Sequence, residues 1–174
     1  MTDAVIVTTA RTPIGKAYKG AYNLLTAPQL AGLALKEVIK RCGIDARDVD
    51  DVTLGCALTQ GSAAANLARH AGMAAGLPFT VAGQTIDRQC ASGLSAIAIA
   101  AGQVRNQESC IAIAGGVDSI SNVQNNHWNS YLYKDPSIYK NYYMPMLETA
   151  EYVAKKYNIS RADQDQYALQ SQQR

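Results

Sequence analysis

Four cysteines and two histidines are the obvious candidates for covalent chemistry in this 174-residue chain. They do not cluster. Cys42, Cys56, Cys90 and Cys110 form no Cys-x-x-Cys pair and no spacing that suits zinc. No metal site is therefore expected. Of the four, Cys90 has the most telling surroundings. An extended run from Val81 to Ile86 leads into a polar knot, Asp87-Arg88-Gln89. After Cys90 comes a long stretch of small and apolar residues, with no charge before Arg105. The pattern predicts strand, sharp turn and helix, with Cys90 where the turn becomes the helix. Helix N-termini carry unpaired N–H groups and the positive end of the helix dipole. A thiol placed there has its thiolate favoured and becomes nucleophilic. The same N–H groups suit a developing oxyanion. The plain alternative is that Cys90 is a small buried apolar residue, as most free cysteines are.

The elements that must hold this turn can be read in order. Ala4 to Thr8 is a short β-branched run, expected to be the first strand. Arg11 to Lys16 is a loop punctuated by Pro13 and Gly15. Pro28 opens a helix whose apolar stripe includes Leu30, Leu33, Val38 and Ile39; Lys40 and Arg41 close it and Gly43 stops it. Val49 to Leu54 is the next strand. A helix follows from about Ala64 to Ala75, ended by Gly76-Leu77-Pro78. It carries His70, which has no visible partner and is read as structural or surface-exposed. The stretch 91–104 is apolar on every side, as befits a helix in the middle of a domain. It is too short and too rich in Ser and Gly to span a bilayer. Cys110 to Val117 reads as a strand buried on both faces. Strands alternating with helices imply an α/β domain with crossover connections.

Past Asp118 the character changes. Residues 122–143 are rich in Asn and Tyr and have no clean period, as in an irregular insertion. His127 and Trp128 lie in it, with packing or surface roles as the default. Met144 to Glu151 leads into a helix through Tyr157. Ser160 then begins a capping box with Asp163, and a last helix follows. Hydrophobic residues make up 48% and charged residues 17%, which excludes a disordered chain. The net charge of +2 argues for neither nucleic acid nor a membrane surface as partner. The N-terminus enters a strand directly, so no leader peptide is expected. Unpaired thiols in apolar runs suit a reducing, cytoplasmic setting.

Asp87-Arg88-Gln89-Cys90-Ala91-Ser92-Gly93-Leu94-Ser95-Ala96 closely resembles the nucleophile motif of the thiolases, acyltransferases that act on acyl-CoA. It departs at Asp87, where the family more often has Asn. Three further blocks resemble the family in the right order. They are Arg11-Thr12-Pro13-Ile14-Gly15-Lys16, Asn66 to Arg69 with Ala75 to Pro78, and Ala114-Gly115-Gly116-Val117-Asp118-Ser119-Ile120-Ser121. The segments Met146-Leu147-Glu148-Thr149-Ala150-Glu151 and Ser160 to Asp165 resemble the family's inserted loop domain. The resemblance implies an α/β fold, the first half of a thiolase-like fold. That half is a layered α/β/α core over 1–118, with a buried central helix and without its final strand, followed by a partial loop domain over 119–174.

What the resemblance implies about chemistry is specific. Cys90 is the nucleophile that carries an acyl thioester, and its N–H is an oxyanion donor. Met146 contacts the pantetheine arm of CoA, although Pro145 and Leu147 depart from the residues usual beside it. CoA and acyl-CoA are substrates, and no separate cofactor is implied. The complete enzyme is expected to be a homodimer or a dimer of dimers. The family's Gly-His-Pro, Cys-x-Gly and Asn-Glu-Ala-Phe motifs, which carry its other catalytic groups, do not occur in this sequence. The chain alone is therefore expected to be inactive. Two other readings remain: a ketoacyl-synthase-type condensing enzyme, and a non-catalytic acyl-CoA-binding or assembly subunit.

Overall fold

The protein is described from a computed structural model, over residues 3–123 and 142–174. It divides into two compact units, Met1–Trp128 and Asn129–Arg174.

The first unit is built on β1 (Asp51–Gly55), which lies between β2 (Ala82–Ile86) and β3 (Ala112–Gly116) in a parallel sheet of order β2-β1-β3. The register places Gly55 beside both Ile86 and Gly116, so the three carboxyl ends share one edge. Side chains alternate along β1. Val52 and Leu54 join a buried cluster with Ala31 and Leu35 of α1 (Ala27–Cys42) and with Ala68 and Ala71 of α2 (Leu67–Ala75). At Gly55 the strand instead meets α3 (Ser92–Arg105). The result is an α/β/α layering, as expected.

Local sequence explains the helix ends. Thr26 and Gln29 form a reciprocal capping box at the start of α1, with proline in its first turn. The Thr-x-x-Gln spacing and Pro28 both mark this start in the sequence. Gly43 ends α1 at φ 70° and Gly76 ends α2 at φ 86°, both in the left-handed region that glycine enters without strain. Asn66 caps α2 and also ties it to β2. Its side chain accepts from Arg69 N and from Thr85 Oγ1, and donates to Gly83 O at 2.8 Å. Gly83 is where this edge needs a bare backbone, since a Cβ there would stand 2.9 Å from Arg69 N.

Two expectations are corrected. Residues 4–8 form no strand and pair with nothing among the described residues, and Val5, Ile6 and Val7 are exposed. A β-branched run has strand propensity, but a strand exists only through its ladder partner and its burial. The segment is instead tethered at its end, where Arg41 Nη1 donates to Thr9 O at 2.8 Å. Helix α3 is covered on one face only: Ser92, Ala96 and Ala100 are buried against the sheet, whereas Leu94, Ile97 and Ile99 are exposed. The second correction concerns β3. Cys110 is exposed and precedes the strand, and within β3 only Ile113 is fully buried. The reason is position: β3 lies at the sheet edge beside β1 alone.

After β3 a short helix, α4 (Ile120–Val123), packs Val123 into a second cluster with Ala27, Cys56, Leu58, Ala63 and Leu67. The second unit contains α5 (Met146–Lys156) and α6 (Arg161–Gln173). Ser160 and Asp163 make the capping box that the sequence predicts for α6. Neither helix has a fully buried residue.

The two kinds of glycine separate experimentally. A Cβ on Gly55 would collide with the Ser92 backbone, while one on Gly43 would meet nothing within 4 Å. Gly43→Ala should cost about 1 kcal/mol, the strain of φ near 70° alone. Gly55→Ala should cost about 3 kcal/mol or more, because backbone must move. Urea denaturation of the two variants side by side measures both; equal losses would mean that Gly55 does not set the spacing of α3 from β1.

Candidate active site

Parallel α/β sheets present ligand sites beyond the carboxyl ends of their strands. Here that edge is formed by Gly55, Ile86 and Gly116. From Ile86 the chain turns through Asp87-Arg88-Gln89, passes Cys90, and enters α3 with Ala91 as its N-cap. The turn is tightly bonded. Asp87 Oδ1 accepts from Gln89 N at 2.9 Å, Ala91 N donates to Arg88 O at 3.1 Å, and Ser92 N donates to Gln89 O at 3.0 Å. Gln89 has φ 48°, a left-handed value that is uncommon outside glycine and costs energy to hold.

Cys90 is exposed. The reading of it as a small buried residue is thereby set aside. It lies immediately before the N-cap of a helix whose cap makes no side-chain hydrogen bond. The positive end of the α3 dipole is therefore not neutralised by a capping oxygen.

The other three cysteines have different settings. Cys56 has no exposure, and its thiol donates to Asp118 Oδ1 at 3.4 Å. Burial, with the nearby Asp118 carboxylate second, pushes that thiol up to about 12. Cys42 is the last residue of α1, at the negative end of its dipole. Cys110 is exposed, in the turn before β3, where its N–H donates to Asp50 Oδ2 at 2.7 Å. All four are free thiols.

Asp118 is the residue that sequence reasoning missed. Its Oδ1 accepts from Ala57 N at 3.1 Å and from Leu58 N at 3.0 Å, besides the Cys56 thiol. It thus holds the loop that leaves β1 at the same sheet edge. No local pattern links Asp118 to residues some 60 positions earlier. The remaining candidates fall elsewhere. His70 is exposed on α2. Met146 is the first residue of α5 in the second unit and is exposed. His127 and Trp128 lie outside the described residues. Among the described residues, no group of three or more His, Cys, Asp or Glu side chains could hold a metal ion. No helix among them is long and apolar enough to cross a membrane.

The family described as "Thiolase, N-terminal domain" matches residues 4–174. The chain belongs to the thiolase family. It is 42% identical to the 3-ketoacyl-CoA thiolase of Bacillus subtilis (strain 168), over 99% of this chain and 44% of that one. It is 40% identical to the 3-oxoadipyl-CoA/3-oxo-5,6-dehydrosuberyl-CoA thiolase of Escherichia coli (strain K12), over 100% of this chain and 48% of that one. The crystal structure of the Bacillus anthracis acetyl-CoA acetyltransferase superimposes with a TM-score of 0.81 at 37% identity, covering 97% of this chain and 45% of that one. The chain thus spans somewhat under half the length of the curated thiolases it matches.

The raised Cys56 thiol generates a pH prediction. Its ordinary value is 9.0 and its folded value about 12, so the folded state keeps a proton that the unfolded chain releases. The resulting stability is complete below the unfolded value and is lost as pH rises through the folded one. Urea midpoints at about pH 8 and about pH 10.5 should differ more for the unsubstituted chain than for Cys56→Ala. An equal fall in both would show that Cys56 contributes nothing to the alkaline loss.

Proposed function

We propose that this chain is the nucleophile-bearing portion of a thiolase that cleaves 3-ketoacyl-CoA with CoA, or condenses two acetyl-CoA in the reverse sense. The observation that carries the reading is the placement of Cys90: exposed, at the uncapped head of α3, on the carboxyl edge of the sheet. The Cys90 thiolate attacks the 3-keto carbon, and the bond between C2 and C3 breaks. The acyl group stays on Sγ as a thioester, and acetyl-CoA leaves after its C2 carbanion takes a proton. A CoA thiolate then attacks the thioester and frees Cys90. Dividing the transfer through a covalent intermediate lowers each barrier. The Cys90 N–H, just ahead of the α3 N-terminus, is the proposed oxyanion donor.

The groups that move protons in this scheme come from a second half. The chain's length relative to other thiolases supports this, as does the absence of the Gly-His-Pro and Cys-x-Gly motifs from its sequence. The bare face of α3, with Leu94 73% exposed, suits a helix that another layer covers. Met146, at the head of α5, is the proposed contact for the CoA arm. CoA and acyl-CoA are the partners, with no resident cofactor, and the assembled enzyme is proposed to be a cytoplasmic homodimer or dimer of dimers. The family membership favours CoA thioesters over carrier-protein thioesters.

The test is to assay acetoacetyl-CoA cleavage by residues 1–174, alone and then with the second half of a related thiolase. Activity should appear only in the mixture. In that mixture acetyl-CoA should label Cys90, and Cys90→Ala should lower cleavage by at least about a thousandfold. Full activity in the chain alone, or an acyl group found on another cysteine, would overturn the assignment.

A further inference from the structure

We infer that Ser92 is a positioning residue for the Cys90 nucleophile: its hydroxyl locks the turn that presents the thiol. This rests on the reading of Cys90 as the nucleophile. Ser92 is 3% exposed, and both sides of its hydroxyl are engaged. Oγ accepts from Arg88 N at 2.8 Å and donates to Gln89 O at 2.5 Å. A serine hydroxyl offers one donor and two acceptor positions, so one side chain fastens the residues on both sides of the peptide that enters Gln89.

That peptide needs fastening. Gln89 is held at φ 48°, and a non-glycine residue stays there only when its surroundings over-determine it. Gln89 O also accepts from Ser92 N, and Asp87 Oδ1 takes Gln89 N. Ser92 itself is fixed from below, because its carbonyl rests on the bare backbone of Gly55. The order of support is therefore β1, then Ser92, then the Arg88–Gln89 peptide, then Cys90. Without the hydroxyl, Gln89 is free to leave the left-handed region. Cys90 then swings away from the helix N-terminus, while the sheet beneath is untouched.

Competitive alkylation of the full chain by limiting iodoacetamide, read by peptide mapping, tests this. Cys110 is the exposed internal standard, and buried Cys56 reports unfolding. In the unsubstituted chain Cys90 should label ahead of Cys110, and Cys56 should stay unlabelled. In Ser92→Ala the ratio of Cys90 to Cys110 labelling should fall by roughly tenfold, the direction expected when reactive geometry is lost. Cys56 should remain protected. Ser92→Thr keeps the hydroxyl and should restore the ratio.

If Cys110 leads in the unsubstituted chain, the nucleophile reading fails and this role fails with it. If Cys90 leads but Ser92→Ala leaves the ratio unchanged, only the role of Ser92 is overturned. Labelling of Cys56 in Ser92→Ala would mean that Ser92 serves general stability, which also overturns it.

Discussion

Two stretches of backbone touch where β1 meets α3, and the rest of the site depends on that contact. Gly55 ends the central strand with nothing between its Cα and the Ser92 carbonyl. A glycine pair reinforces it, since a Cβ on Gly116 would lie 3.2 Å from Gly93 Cα. A helix can approach a sheet this closely only where side chains are absent from both surfaces. The close approach puts the first turn of α3 onto the carboxyl edge of the sheet. Cys90, just ahead of the N-cap Ala91, is thereby placed at that edge, where it is exposed. The hydrophobic cluster on the other face, from Leu35 through Val52 to Ala71, holds β1 still while this happens.

The four thiols show how environment, not residue type, assigns roles. Cys56 and Cys90 both follow strands at the same sheet edge. Cys56 is buried beside the Asp118 carboxylate, so both desolvation and like charge oppose its ionisation. Cys90 is exposed beside a helix N-terminus that no side chain caps. Asp118 serves two ends at once. It fixes the loop after β1 through two backbone N–H groups, and its carboxylate adds to the burial that pushes the Cys56 thiol up.

Several surfaces carry the composition of an interior without its burial. Val5 to Val7 are a β-branched sequence with no ladder partner among the described residues, and α3 buries only the face that carries Ala96 and Ala100. These features fit together with a chain that spans under half the length of the thiolases it matches. Apolar sequence records what a segment is built to contact, whereas exposure records what it contacts in this chain.

Much of the site was determined by the sequence alone. Local patterns fixed the strand, turn and helix around Cys90, because strand propensity, turn residues and helix periodicity act over a few residues. They also fixed the cap at Ser160 and the glycine stop at Gly43, since a cap closes within one turn of helix. The order of elements determined the layered α/β class. Tertiary structure decided what depends on distant residues. It left 4–8 outside the sheet among the described residues and brought Asp118 to Cys56 across 62 positions. It also gave Ser92 its place. The Ser-Gly pair reads as an ordinary small-residue helix start until the backbone of Gly55 is seen beneath it. The division follows from range: propensity and capping are local energies, whereas burial and pairing are set by partners that the fold alone supplies.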